Sequence, residues 1–175
     1  MWYLVADEGH NADGKHVPYL DTAHKIGARL RALDPDLYDR LARVVANGDR
    51  SVRALENSGA LPPGATTYTA VLGFSHLAPT ARVKRQDHRR GWLLGALDAV
   101  RDCDLVFVDP DNGLRRGDHP TPSHRTRSEK PTYLDELRHF TARGQSVIAY
   151  HHADRSAPVH EQARRRLGEA EAELR

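Results

Sequence analysis

The sequence predicts an α/β protein with a three-layer, Rossmann-like plan, in which a mostly parallel sheet carries helices on both faces. Two observations carry that expectation. Short, continuously apolar runs such as Leu105-Val106-Phe107-Val108 and Ser146-Val147-Ile148-Ala149-Tyr150 have the look of strands buried in a parallel sheet. Stripes at helical spacing alternate with them, which is the order of βαβ units.

In chain order, Trp2-Tyr3-Leu4-Val5-Ala6 reads as a first strand closed by Asp7. Asp34-Pro35 supplies an N-cap and a proline at the first helical position, and Leu37, Leu41, Val44 and Val45 then mark a helix that stops at Asn47-Gly48. A short helix carries Val52 and Leu55 up to Gly59, and Pro62-Pro63-Gly64 forces a turn. Thr66 to Leu72 is rich in β-formers and predicts another strand ended by Gly73. From Asp87 to Arg101, Trp92, Leu93, Ala96, Leu97 and Val100 make an apolar stripe that leads into the Leu105–Val108 run. Thr132 is expected to cap the next helix, with Asp135 as its box partner, Leu134, Leu137 and Phe140 facing inward, and Gly144 closing it. A last helix from about Pro158 would place Val159, Ala163, Leu167, Ala170 and Leu174 on its inner side.

A chain of 175 residues is the size of one ordinary domain, so a single domain over residues 1–175 is expected. The lone Cys103 precedes an apolar run and reads as a space-filling thiol in a reducing compartment. Met1 to Ala6 give way to Asp7-Glu8, which predicts neither a signal peptide nor a membrane span, and the cytoplasm is the expected location. Basic and acidic residues nearly balance, 26 against 24, so net charge alone does not argue for nucleic acid. Their distribution does more. Arg82, Lys84, Arg85, Arg89 and Arg90 form one basic cluster, and Arg115, Arg116, Arg125, Arg127 and Lys130 a second. Residues 115–131, dense in Pro, His, Ser, Thr and Arg, read as a mobile loop whose Arg115, Arg127 and Lys130 could reach a substrate phosphate.

Ligands of open parallel sheets bind beyond the carboxyl ends of the strands. Asp7, Asp109 and the His151-His152 pair each follow a strand in this reading, and their coincidence at one edge points to a site. Asp109-Pro110-Asp111-Asn112-Gly113 is at least a tight turn, since each of these residue types has turn chemistry of its own. Directly after a buried strand it also sets two carboxylates, a carboxamide and free backbone groups in the expected cleft. Adjacent strand residues point to opposite faces, so only one of His151 and His152 should serve the site, and His151 is taken. The other nine of the 11 histidines show no ligand spacing, and no metal site is expected from them.

The strand ending at Asp109-Pro110, with a helix and a strand ending near a His after it, resembles the amino-methyltransferase branch of the Rossmann-like, S-adenosylmethionine-dependent enzymes, over about residues 87 to 152. The likeness is to the ribosomal-RNA adenine-N6 type. It implies that Asp109 and the Pro110 carbonyl accept hydrogen bonds from a target amine, with Asp111, Asn112 and His151 completing the catalytic set. RNA, DNA or a nucleotide is the implied partner. Asp111-Asn112 replaces the family's Pro-Tyr, so the aromatic that stacks on a flipped base is absent. S-adenosylmethionine would lie against the loop after the first strand, where Asp7, Gly9, Asn11 and Gly14 offer acidic groups and close backbone approach. The spaced pattern of this motif with Tyr133, Asp135-Glu136-Leu137 and Tyr150-His151-His152 is also similar to a further bacterial protein family, which implies no activity.

Two alternatives stay open. Asp109 and Asp111 with a histidine suit a divalent metal and a nuclease or phosphohydrolase reaction. A catalytically silent Rossmann-like binding protein is the other. The Asp-x-Asp string is also similar to that of haloacid-dehalogenase-type phosphatases, but Gly113 stands where those enzymes carry Thr or Val.

Overall fold

The computed structural model describes residues 1–3, 16–116, 129–153 and 156–174. The chain falls into two compact units, Met1–Ala6 with Thr66–Arg175, and Asp7–Ala65.

The described residues of the Asp7–Ala65 unit are helical or in turns. A 3-10 turn at Pro18–Leu20 precedes α1 (Gly27–Leu33), α2 (Pro35–Ala46) and α3 (Val52–Asn57). The ends of α2 are those the sequence marks. Asp34 accepts the Leu37 N–H at 3.0 Å, Pro35 opens the helix, and Gly48 beyond it takes a φ of 74° that costs a glycine little. Tyr38 is buried on α2, and its hydroxyl donates to the Tyr19 carbonyl at 3.1 Å. Helix α1 was not expected. Its N-cap is Ile26, which makes no side-chain cap, so the usual polar start signal is missing.

The second unit holds α4 (Arg82–Ala99), β1 (Leu105–Val108), β2 (Leu114–Arg115), β3 (Thr132–Tyr133), α5 (Leu134–Thr141), β4 (Ser146–Ala149) and α6 (Val159–Leu174). β1 and β4 pair in parallel, with Leu105 opposite Ser146 and Val108 opposite Ala149. Trp2 adds a parallel bridge to Asp109, so the start of the chain runs beside the end of β1, while residues 4–6 of the expected first strand lie outside the described residues. β2 and β3 form a second parallel pair. The described architecture is therefore mixed α/β with small parallel sheets of two strands each.

One face of β1 presents Val106 and Val108 to a core shared with Leu93, Ala96, Leu97 and Val100 from α4 and its C-cap, and with Leu134, Leu137 and Phe140 from α5. Leu105, Phe107 and Ile148 on the other face are exposed, so burial alternates along β1 where the unbroken apolar run predicted cover on both sides.

Four local expectations are corrected. Thr66–Leu72 forms no strand; its Tyr68 carbonyl takes one backbone bond, from Trp2 N–H, and the segment is committed instead to α4. There, Tyr68 Oη donates to the Trp92 carbonyl at 3.0 Å and Trp92 Nε1 donates to the Ala70 carbonyl at 2.6 Å. Helix α4 starts at Arg82 rather than Asp87, because the intervening residues are adequate helix formers and Arg85 among them is buried in line with the apolar stripe. Helix α5 is capped one residue later than expected: Thr132 belongs to β3, Tyr133 is the N-cap, and Glu136 accepts the Tyr133 N–H at 3.0 Å in place of Asp135. On α6, Val159, Ala163 and Leu167 face solvent, and the seated side is formed by Gln162, Arg166, Glu169, Ala170 and Leu174. No helix among the described residues is long and apolar enough to cross a membrane.

Candidate functional site

The string after β1 folds as the turn its residue types favour. Gly113 N–H donates to the Pro110 carbonyl at 3.1 Å, and Gly113 adopts a φ of 64°, in the left-handed region open to glycine. Asn112 N–H then donates to the Lys130 carbonyl, and the Gly113 carbonyl accepts from Thr132 N–H at 3.0 Å, which starts the β2–β3 pair. The turn is therefore stitched on its far side to residues 130–132.

Beyond the carboxyl ends of β1 and β4 this turn lines a cleft of about 410 Å³. Its walls are Asp111, Asn112, Leu114 and Arg115 from the turn and β2, His151, His152 and Ala153 from the end of β4, and Arg166 from α6. His151 is fixed by its surroundings. Leu114 N–H donates to Nδ1 at 3.0 Å, and the Arg166 Nε–H donor lies 3.3 Å from Nε2. Gly113 must lack a side chain here, because a Cβ would collide with His151 Nδ1.

Of the residues expected to act, Asp111, Asn112, Arg115 and His151 are brought together in this cleft. Asp109 and Pro110 do not line it. Pro110 is fully buried. Asp109 is half-buried at the end of β1, and burial raises its carboxyl pKa from the ordinary aspartate value. His152 and the N-terminal amine oppose that rise, while Asp111 adds to it. Lys130 is not a loop charge free to reach phosphate: its side chain is 5 % exposed and its Nζ pairs with the Asp111 carboxylate. Asp7, Gly9, Asn11, Gly14 and Arg127 lie outside the described residues. So do residues 117–128 of the expected mobile loop, whose described ends are ordered parts of the fold: Arg115 in β2, and Lys130 and Pro131 buried.

The basic cluster on α4 is corrected as well. Arg85 and Arg89 are buried rather than displayed. Arg85 donates to the Leu77 carbonyl at 3.1 Å and sits over the Phe74 ring. Arg89, 1 % exposed, makes a fork to the Glu136 carboxylate at 2.6 and 2.8 Å. It also donates to the Pro131 carbonyl at 2.6 Å and the Glu129 carbonyl at 3.3 Å, and lies over the Tyr133 ring. Burial works against this charge, and Glu136 more than offsets it, so the guanidinium is held above its ordinary pKa. The same carboxylate accepts from the Tyr3 hydroxyl, whose pKa burial raises well above the usual phenol range. Arg89 thus grips the chain on both sides of Lys130, which in turn meets Asp111 on the cleft wall.

Two residues of this arrangement were not anticipated. Arg89 falls on the apolar stripe of α4, at helical spacing from Arg85, Trp92 and Leu93, and that position was the available signal. Arg166 shares a helix face with Gln162 and Ala170, but nothing in its local sequence ties it to a histidine on another element. Among the described residues, no group of three or more His, Cys, Asp or Glu side chains is placed to hold a metal ion.

Searches against protein-family models, curated proteins and solved structures match nothing to this chain.

Proposed function

We propose that the protein is a Rossmann-like enzyme, with the three-layer plan expected from its sequence, that binds a nucleotide or a nucleic-acid strand in the cleft beyond β1 and β4 and acts there on an amine by methyl transfer. The observation that carries the proposal is the cleft itself, a cavity at the carboxyl edge of a parallel pair, walled by Asn112, Arg115, His151, His152 and Arg166 and set beside the half-buried Asp109.

Asp109 is suited to accept a hydrogen bond from an amine N–H, which leaves the nitrogen lone pair for bond formation. The Pro110 carbonyl is buried and engaged by Gly113 N–H, so Asn112, whose carboxamide lines the cleft, is the better second acceptor. S-adenosylmethionine supplies the methyl group in enzymes of this kind, but the residues expected to hold it lie outside the described ones. The acceptor side therefore carries the proposal. A metal-dependent nuclease draws less support, because the Asp111 carboxylate is already answered by Lys130.

Thermal shift against S-adenosylmethionine and S-adenosylhomocysteine tests the cofactor, since a ligand at one hundred times its Kd stabilises by about 2.7 kcal/mol. Transfer of labelled methyl to nucleotides, RNA and DNA tests the reaction, and Asp109→Ala should abolish it while a cooperative melting transition is retained. No stabilisation together with no transfer would overturn the reading.

A further inference from the structure

We propose that the cleft contains a phosphate subsite, built by Arg115 and Arg166 with His152, that takes the phosphomonoester of a single nucleotide. The inference rests on the reading of this cleft as the ligand site, and it concerns how a ligand is gripped rather than what is done to it.

Charge accounting favours an anion. Among the described lining residues the one carboxylate, Asp111, is paired with the nearly buried Lys130, so it does not repel an incoming negative group as a free carboxylate would. Glu169 offsets part of the Arg166 charge through its contact at 2.6 Å. Arg115 has no partner among the described residues and is exposed at the end of β2. The described lining residues thus carry a positive excess through Arg115.

Geometry favours phosphate within that class. Arg166 is braced by its Nη1 bond to Glu169 at 2.6 Å, so its guanidinium loses less rotamer freedom on binding than a free one would. Two guanidiniums on the wall of one cavity, one braced and one exposed, offer N–H donors in number for a group with three terminal oxygens. Asn112 adds a neutral donor and acceptor at the same wall. The volume of about 410 Å³ is in the range of small-molecule sites and suits one nucleotide unit.

Calorimetry on the full chain at low salt, with AMP, inorganic phosphate and adenosine as probes, reads this directly. AMP should bind, inorganic phosphate should compete with it, and adenosine should bind at least tenfold more weakly. Arg115→Gln and Arg166→Gln should each weaken AMP binding by tenfold or more. Arg116→Gln removes the same charge from the next residue, which does not line the cleft, and should leave binding within about twofold. Because Arg166 also contacts His151, circular dichroism checks that variant, and Arg115→Gln alone decides if it unfolds. Absence of AMP and phosphate binding, equal binding by Arg115→Gln and the parent, or an equal loss from Arg116→Gln would each overturn the subsite. A protein that binds AMP in this way but transfers no methyl group keeps the subsite and loses the proposed reaction. One that methylates but ignores phosphate does the reverse.

Discussion

Replacing Arg89 by methionine should be among the most damaging single changes in the chain. The substitution keeps much of the volume and removes the fork to Glu136 at 2.6 and 2.8 Å and the bonds to the carbonyls of Pro131 and Glu129. The Glu136 carboxylate, 2 % exposed, then keeps its charge with Tyr133 N–H and the Tyr3 hydroxyl still donating but with its cation gone. Breaking a buried ion pair from one side costs about 3–5 kcal/mol. Domain stabilities are typically about 5–15 kcal/mol, so the variant should retain only a fraction of its margin at room temperature. Adding Glu136→Leu removes the stranded charge and leaves only neutral groups unanswered, at about 1–3 kcal/mol each. The double variant should therefore be more stable than the sum of the singles by roughly 2 kcal/mol, within the range found for residues in direct contact. Urea unfolding of the parent, both singles and the double measures this, with the slope checked for constancy. If Arg89→Met lies within about 1 kcal/mol of the parent, or the two singles add, the buried network is not holding the fold.

Gly113→Ala should cost about 1–3 kcal/mol, because the left-handed backbone disfavours a side chain and the new Cβ meets His151; a Tm equal to the parent's would contradict that placement. Asp109 titrates at a raised pKa in the folded state, so folded protein binds that proton more tightly than unfolded chain, and the group's contribution to stability falls as pH rises through the interval above the ordinary aspartate value. Asp109→Asn removes this titration, so as pH rises above the ordinary aspartate value the stability difference should move in the variant's favour, and a difference constant with pH would refute the desolvation argument.

Much of the fold was legible wherever a local signal decided it. Asp34-Pro35 and Gly48 mark α2, and the apolar runs at Leu105 and Ser146 give β1 and β4 because β-branched residues are concentrated there. Illegible elements lacked such a signal or owed their state to distant partners. Helix α1 begins without a polar cap, and Thr66–Leu72 has strand composition but spends its polar groups on Trp92. Composition reads arginine as surface charge, which hid Arg85 and Arg89, although their helical phase put both on the inner stripe. On α6 the same rule failed in reverse: apolar Val159 and Leu167 face water while Gln162 is buried, its Nε2 donating to the Ala157 carbonyl at 2.5 Å. Asp111, Asn112, Arg115 and His151 could be foreseen as neighbours because strand ends converge. Arg166 could not, since only the packing of α6 brings it to His151.

The bond between Leu114 N–H and His151 Nδ1 gives the protein a built-in spectroscopic reporter. The neighbouring amides of Asn112, Gly113 and Thr132 are each held by a backbone carbonyl, which stays an acceptor in any ordinary buffer. The Leu114 amide is held instead by a ring nitrogen that stops being an acceptor as soon as it takes up a proton. In a series of proton–nitrogen correlation spectra at one pH, removing that acceptor by His151→Ala should therefore quicken hydrogen–deuterium exchange at Leu114 while exchange at the other amides of the turn stays slow. A ligand that orders the cleft should slow Leu114 selectively, so one backbone signal can follow occupancy of the site without a label, a cofactor or a known reaction.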